Sequence, residues 1–554
     1  MNKISLKKVV ALLSCFLICG ISFSQEEPTP DELEWLGDLD KPTYNIDSSL
    51  QSNFVIIESV SEHELNPHVT AMAQDSQFLT GLYEGLFSYN PLTLDAQYAI
   101  AVNYNISRDK KRWVFAINPN AYFSNGEKIT AQHVRDSWIK LLSTKNAPYA
   151  SLLDVIEGAQ KFRNGKLTES KVGIYVLSDS ELMIHLTKPA NYLPQILCHP
   201  AFSIVHKDSN VYSGPYVLES HQNNEYVLVK NDYYWDKGNT HLKKITFIQS
   251  DDQDENAFAY NTGLADWVTG PVNYQKILGN NSIMMNAEFA TNYFFFNLRK
   301  NKEELKPWAL LDFRRALFEA IPWNEFRSGF YVPAGTFVYP LNGYPTVEGY
   351  GFTDMIEAKK LMAEARRKHG EYFGLDKGDE KGNYQKKIPL VMEITKNSMD
   401  VKRLYLLKKA WDQLGVDLIV REIPASDYFA NVPKSDADIF MYTWSGDFAD
   451  PLAFLELFRS DSTLNDSGYS NKKFDDLLDL ASKSSKEQSY EYLSQAEVIL
   501  LDSYEVIPIL HPIVMNVINL ECVGGWSTNA FDIHPLKYIF KKQEKTKLPN
   551  VVKR

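Results

Sequence analysis

Aromatic and small polar residues gather around two carboxylates in Trp444-Ser445-Gly446-Asp447-Phe448-Ala449-Asp450-Pro451. A carboxylate on a loop after a buried strand can hold an ammonium by a charge-assisted hydrogen bond while neighbouring rings line a pocket. The same residues suit a structural role equally well, with Trp444 and Phe448 in the core and the aspartates turning the chain before Pro451. Local sequence does not separate these two readings.

Other chemistry finds little support. The acidic run Asp251-Asp252-Gln253-Asp254-Glu255-Asn256 fails as a calcium loop, since counting from Asp252 puts Ala257 where the sharp bend needs glycine and Gly263 where a bidentate glutamate is needed. It reads instead as a solvated turn. The histidines include no H-E-x-x-H, and His199 with His206 has no carboxylate or cysteine at ligand spacing, so no metal is expected. Nucleophile elbows, P-loops and complete dinucleotide fingerprints are missing, and Gly349-Tyr350-Gly351 lacks the rest of such a pattern. The expectation is a protein that binds rather than catalyses, with no cofactor.

Whatever binds must be positioned by a large core, and the 554 residues are 44% hydrophobic, enough to build one. The formal charge of −12 and the lack of a basic stripe argue against a nucleic-acid partner. Lys3, Lys7 and Lys8, the apolar residues 9–21 and Ser22-Phe23-Ser24 read as a secretory leader over residues 1–24, which takes the exported chain to −15. Leu12-Leu13-Ser14-Cys15 offers the competing lipid-anchor reading, at the cost of a shortened apolar region. Cys198 and Cys522 then remain and are expected to be ordinary buried thiols, so packing rather than a disulfide framework holds the fold.

Residues 25–44 read as an acidic tether. Beyond it, Trp113, Phe115 and Ile117 alternate as in a half-buried strand, as do Leu182, Ile184 and Leu186. Leu404, Leu407, Trp411 and Leu414 follow a helical period, with Ser398 as N-cap and Gly415 closing the helix before a strand over 416–423. Asp354 and Glu357 form a capping box for a helix expected to end at His369-Gly370, and 370–387 reads as an exposed insertion. Strands and helices alternate in at least two lobes of an α/β protein.

Several stretches together resemble the large solute-binding proteins of ABC importers, the oligopeptide, dipeptide and nickel class. They are Leu65-Asn66-Pro67-His68, Leu82-Tyr83-Glu84-Gly85-Leu86, Phe123-Ser124-Asn125-Gly126-Glu127, Ala147-Pro148-Tyr149-Ala150, Gly214-Pro215-Tyr216, Lys230-Asn231 with Tyr234-Trp235, Phe313-Arg314-Arg315-Ala316-Leu317, and Trp444 to Pro451. The resemblance implies a two-lobed periplasmic-binding-protein type II fold (cluster C). Lobe I would take 45–290 with an extra subdomain at about 86–205, lobe II 291–514, a return to lobe I 515–545, and a tail 546–554. A hinge would close the lobes on ligand.

The resemblance also places Asp447 on the ligand's α-ammonium with Tyr149 beside it and Trp444 lining the pocket. Ala73, Thr443 and Ser445 would lend backbone groups to an extended peptide, as in strand addition. Gly126 is expected simply to turn the chain. Against the oligopeptide pattern, Met441 stands where an arginine is expected, Phe295 where a glutamate is, and Ala425 at an aromatic position, so recognition of the peptide's carboxyl end is not retained. The implied partners are a short peptide or other small solute and an inner-membrane ABC permease, for an exported, monomeric, periplasmic receptor. The alternatives are the same fold holding an oligosaccharide or metal chelate, or serving as an envelope chaperone or sensor.

Overall fold

The computed structural model describes residues 53–542, apart from 71, 146, 300–305, 330, 350, 379–383, 397, 425–426, 429–430 and 463. The leader, Cys15, the tether, Ala425 and the tail lie outside the described residues.

Alternation of buried and exposed side chains builds three main sheets. The first has seven strands in the order Ile283–Ala287, Ile513–Ile518, Trp267–Val268, Asn53–Glu58, Lys244–Gln249, Glu225–Lys230 and Tyr216–Gln222. Its core includes Phe54, Phe78, Tyr226, Phe247 and Trp267. The second has six, in the order Val332–Pro333, Val506–His511, Ala290–Phe296, Ile439–Ser445, Ile388–Thr395 and Val416–Ile423. Both mix parallel and antiparallel pairs, and helices such as Met355–Phe373 and Val401–Asp412 flank the second. A third, four-stranded antiparallel sheet (Ala101–Ile106, Arg112–Ile117, Glu181–His185, Ile174–Ser178) packs under the helix Ala131–Ser143. Trp113, Phe115, Ile117, Leu182 and Ile184 are buried there, as their alternation requires. This is the two-lobed α/β architecture with an extra subdomain.

The chain crosses between the first and second sheets twice, between Ile283–Ala287 and Ala290–Phe296 and between Val506–His511 and Ile513–Ile518. The crossings lie side by side: the Glu288 N–H donates to the Pro512 carbonyl at 2.8 Å, and His511 Nδ1 is 2.9 Å from the Ala290 carbonyl. Farther from these crossings, Lys486 pairs with Asp95 at 2.6 Å and Asn191 donates to the Ser484 carbonyl at 3.2 Å.

Some local expectations need correcting. The acidic run is not a plain turn: Asp252 caps the helix Gln253–Asn261, its carboxylate accepting from the N–H groups of Asp254 and Glu255 at 3.0 Å each. Asp400, not Ser398, caps Val401–Asp412, because the Ser398 hydroxyl is spent on the Thr395 carbonyl in the preceding turn. Met355–Phe373 runs through Gly370 to Gly374, which takes the left-handed conformation. The segment after it is partly pinned, with the buried Arg366 guanidinium 3.8 Å from the Tyr384 ring and donating to the Gly415 carbonyl. Cys198 is buried, but Cys522 is exposed and both thiols are free. No described helix is long and apolar enough to cross a membrane.

Candidate ligand-binding site

The strand Ile439–Ser445 pairs along its whole length with Ala290–Phe296, but with Ile388–Thr395 only at Ile439 and Phe440. Its far half therefore has an open side. At Met441 that side is closed by the Tyr428 hydroxyl, which accepts the Met441 N–H at 3.2 Å and lies 3.0 Å from its carbonyl. Backbone groups alternate sides along a strand, so those of Thr443 and Ser445 face the same open side, and both residues are exposed. The Thr443 hydroxyl accepts from Asn292 Nδ2 at 3.0 Å, and half-buried Trp444 donates its indole N–H to the Ala453 carbonyl at 2.8 Å.

Gly446 then sends the chain into the loop. Its N–H donates to the Phe289 carbonyl at 2.9 Å, and a Cβ at this position would collide with the Phe289 ring. Gly446→Ala is expected to cost about 1–3 kcal/mol by overpacking and to displace the loop, which a melt and a binding titration would register together. Unchanged affinity would show that the close approach does not position Asp447.

Asp447 has no hydrogen-bond or ion-pair partner among the described residues, and burial alone pushes its carboxyl up to about 6. Tyr149 lies within its electrostatic reach: burial and then Asp447 raise the Tyr149 phenol. The Tyr149 ring packs 4.0 Å from His199. His199 accepts the Ala201 N–H on Nδ1 at 3.1 Å and is pushed down to about 4 by burial, so it stays neutral and supplies no cation to Asp447. Asp447 thus lies within electrostatic reach of Tyr149, and Thr443, Trp444 and Ser445 lie on the strand leading to Asp447. Ala73 is exposed at the first position of the helix Ala73–Leu82, where a backbone N–H has no intrahelical acceptor, and no hydrogen bond or ring contact joins it to the other five among the described residues.

Asp450 is the turn former: its Oδ1 accepts the Leu452 N–H at 2.9 Å, and burial pushes it up to about 7. Phe448 stacks on Tyr192, centroids 5.3 Å apart. Two of the three departures pack away, Met441 in the core behind the second sheet and Phe295 stacked on Phe440 at 5.3 Å, while Ala425 lies outside the described residues. Sequence reasoning missed His199 and Tyr89; burial raises the phenol of Tyr89, and the charges of Cys198 and then Asp447 raise it further. Tyr89 ends a short strand, Phe87–Tyr89, and looks from sequence like any core tyrosine.

A family model described as bacterial extracellular solute-binding proteins, family 5, matches residues 95–466. A dipeptide-binding protein of Bacillus subtilis is 24% identical over 470 residues, covering 80% of this chain and 82% of the relative. A probable deoxycholate-binding periplasmic protein of Escherichia coli is 25% identical over 511 residues, covering 86% and 90%. Among solved structures, a periplasmic murein tripeptide-binding protein in its unliganded open form superposes with a TM-score of 0.74 at 24% identity, over 89% of this chain and 97% of that one.

Proposed function

The chain belongs to the bacterial extracellular solute-binding proteins, family 5, which are binding proteins and not enzymes, and from that premise we propose that it captures short peptides for an ABC importer. Asp447 carries the reading. A half-buried carboxylate with no protein partner is costly to keep ionised, and an incoming α-ammonium is the group that would offset that cost. Tyr149 stands beside it to accept a further N–H. The open backbone of Thr443 and Ser445 would pair with the peptide main chain, giving affinity without side-chain preference, and Trp444 would wall the pocket. Ala73 would contribute its free N–H from the facing lobe.

The lobes would be 45–290 with 515–545 and 291–514, closing about the two adjacent crossings near 288 and 512. The membrane permease of the importer would be the partner, and the leader would deliver the receptor to the periplasm. With Met441 in place of the expected arginine and Phe295 in place of the expected glutamate, both packed in the core, the amino end would dominate recognition.

Calorimetry with a free-amino peptide library should show binding that N-acetylation abolishes; equal binding after acetylation would sink the reading. A non-peptide ligand is the second reading, favoured by the aromatic walls and by the relative named as a probable deoxycholate binder. Mass spectrometry of whatever denaturation releases from freshly purified protein separates the two.

The pH dependence follows from the two charges. Asp447 ionises in the free protein only above about 6, whereas a peptide α-amino group loses its proton above about 8. Affinity should be greatest between these limits and fall roughly tenfold per pH unit outside them, by proton linkage. A titration flat from pH 5 to 9 would exclude a carboxylate–ammonium pair.

A further inference from the structure

We propose that Tyr428 is the length stop of the ligand groove, closing the backbone edge of the strand Ile439–Ser445 at Met441 so that an extended chain pairs with it over three residues and no more. The inference rests on the reading of this chain as a peptide receptor and adds to it a residue that sets how much main chain is gripped.

The facing of the backbone groups follows from one bond at the end of the strand. The Gly446 N–H donates to the Phe289 carbonyl at 2.9 Å, and in the same antiparallel register Trp444, Tyr442 and Phe440 stand opposite Thr291, Tyr293 and Phe295. These three therefore turn their N–H and C=O groups to the strand Ala290–Phe296, and Ser445, Thr443 and Met441 turn theirs the other way. On that other side the last paired positions are Glu393 and Phe440. There the Tyr428 hydroxyl stands between the two strands, donating to the Glu393 carbonyl at 2.8 Å, accepting the Met441 N–H at 3.2 Å and lying 3.0 Å from the Met441 carbonyl. Tyr428 is 1% exposed and its ring packs on Tyr442 with centroids 5.7 Å apart, which holds the hydroxyl in place. The change beyond it is abrupt. Met441 and Tyr442 are buried, whereas Thr443 and Ser445 are exposed.

The open edge is thus bounded at both ends by the protein's own groups, by Phe289 on Gly446 and by Tyr428 on Met441. Two facing positions remain between them, Thr443 and Ser445, about 7 Å apart along the strand. An antiparallel chain meets them with its residues n and n+2, which together make up to four main-chain hydrogen bonds. Residue n+1 points its backbone groups away. Residue n+4 would need the groups of Met441, which Tyr428 already holds, and the phenol stands in its path. Length beyond three residues therefore adds no pairing.

The test titrates five pools of free-amino peptide amides, two to six residues long, into the wild type and Tyr428→Ala, with a melt to check that the variant is folded. In the wild type, affinity should rise about tenfold from two residues to three and then stay within twofold up to six. In Tyr428→Ala the five- and six-residue pools should gain about tenfold over the three-residue pool, a ratio taken within one protein and so unmoved by a general loss of affinity. A steady rise through five and six residues in the wild type, or an unchanged ratio in folded Tyr428→Ala, would overturn the proposal; if the variant does not fold, the wild-type series decides alone. Binding with no break at three residues removes only the role of Tyr428, whereas no binding by any pool means that the peptide reading itself fails.

Discussion

Asp447→Ala is expected to abolish ligand capture while making the empty receptor more stable. Removing one member of a buried charge pair costs about 3–5 kcal/mol, so affinity for a free-amino peptide should fall at least a hundredfold. The stability change has the opposite sign. With its carboxyl near 6 in the folded chain against about 3.9 unfolded, Asp447 binds its proton more tightly when folded. Stability is then lost as pH rises from about 4 through 6, and the whole penalty is in force at pH 7.5. Two pKa units at about 1.4 kcal/mol each make it of order 3 kcal/mol, an upper figure because the loop keeps some contact with water. The variant should therefore melt above the wild type at pH 7.5 and level with it near pH 4. A lower melting temperature at pH 7.5, or unchanged peptide affinity, would show that Asp447 has a structural partner instead.

What could be read from sequence divides by how local its causes are. The strand Arg112–Ile117 was legible because burying one face of a sheet forces Trp113, Phe115 and Ile117 inward. Helix ends were less so. Ser398 and Asp400 are equally good caps by type, and the choice fell to Asp400 because its side chain reaches the Arg403 N–H at 2.8 Å. Gly370 looks like a helix stop, yet it lies inside the helix because the Leu375 backbone folds back over it, the Leu375 N–H bonding the Gly370 carbonyl at 2.7 Å. Asp447 and Tyr149 were nominated by resemblance; nothing in their spacing could bring residues 447 and 149 together. Tyr89 is out of reach altogether, since its surroundings come from residues 198–203 and 531. Such a site is assembled by packing between elements that only the folded chain makes neighbours.

The same distinction explains the motif around Glu84, and it sets the largest stability effect expected in the molecule. Glu84 Oε1 accepts from Lys537 Nζ at 2.6 Å and from the Tyr234 hydroxyl at 2.7 Å, while Oε2 accepts from the Trp235 indole at 2.6 Å. Both charged side chains are 5% exposed. Burial disfavours the ammonium of Lys537, but Glu84, Tyr538 and Asp236 outweigh it and hold its pKa above the ordinary value. Because the shift is upward, the stabilisation from the Lys537 ammonium is fully present below the ordinary lysine pKa of 10.5 and fades as pH rises beyond it. The pair ties the C-terminal return to the first lobe, as does Gln77, which exchanges two hydrogen bonds with the His534 backbone at 2.9 and 2.7 Å. Glu84→Ala strands a buried ammonium and two donors, so it should cost about 3–5 kcal/mol and loosen residues 534–541. Glu84→Gln combined with Lys537→Met removes both charges while leaving an oxygen to accept from the Trp235 indole and an amide N–H that the Tyr234 hydroxyl can accept. That double variant should melt well above Glu84→Ala, and its loss should be less than the two single losses added together. If melting and hydrogen exchange across 534–541 show strictly additive losses, or Glu84→Ala melts like the wild type, the anchor is not this ion pair and the return is held by the packing of Leu536 and Ile539 alone.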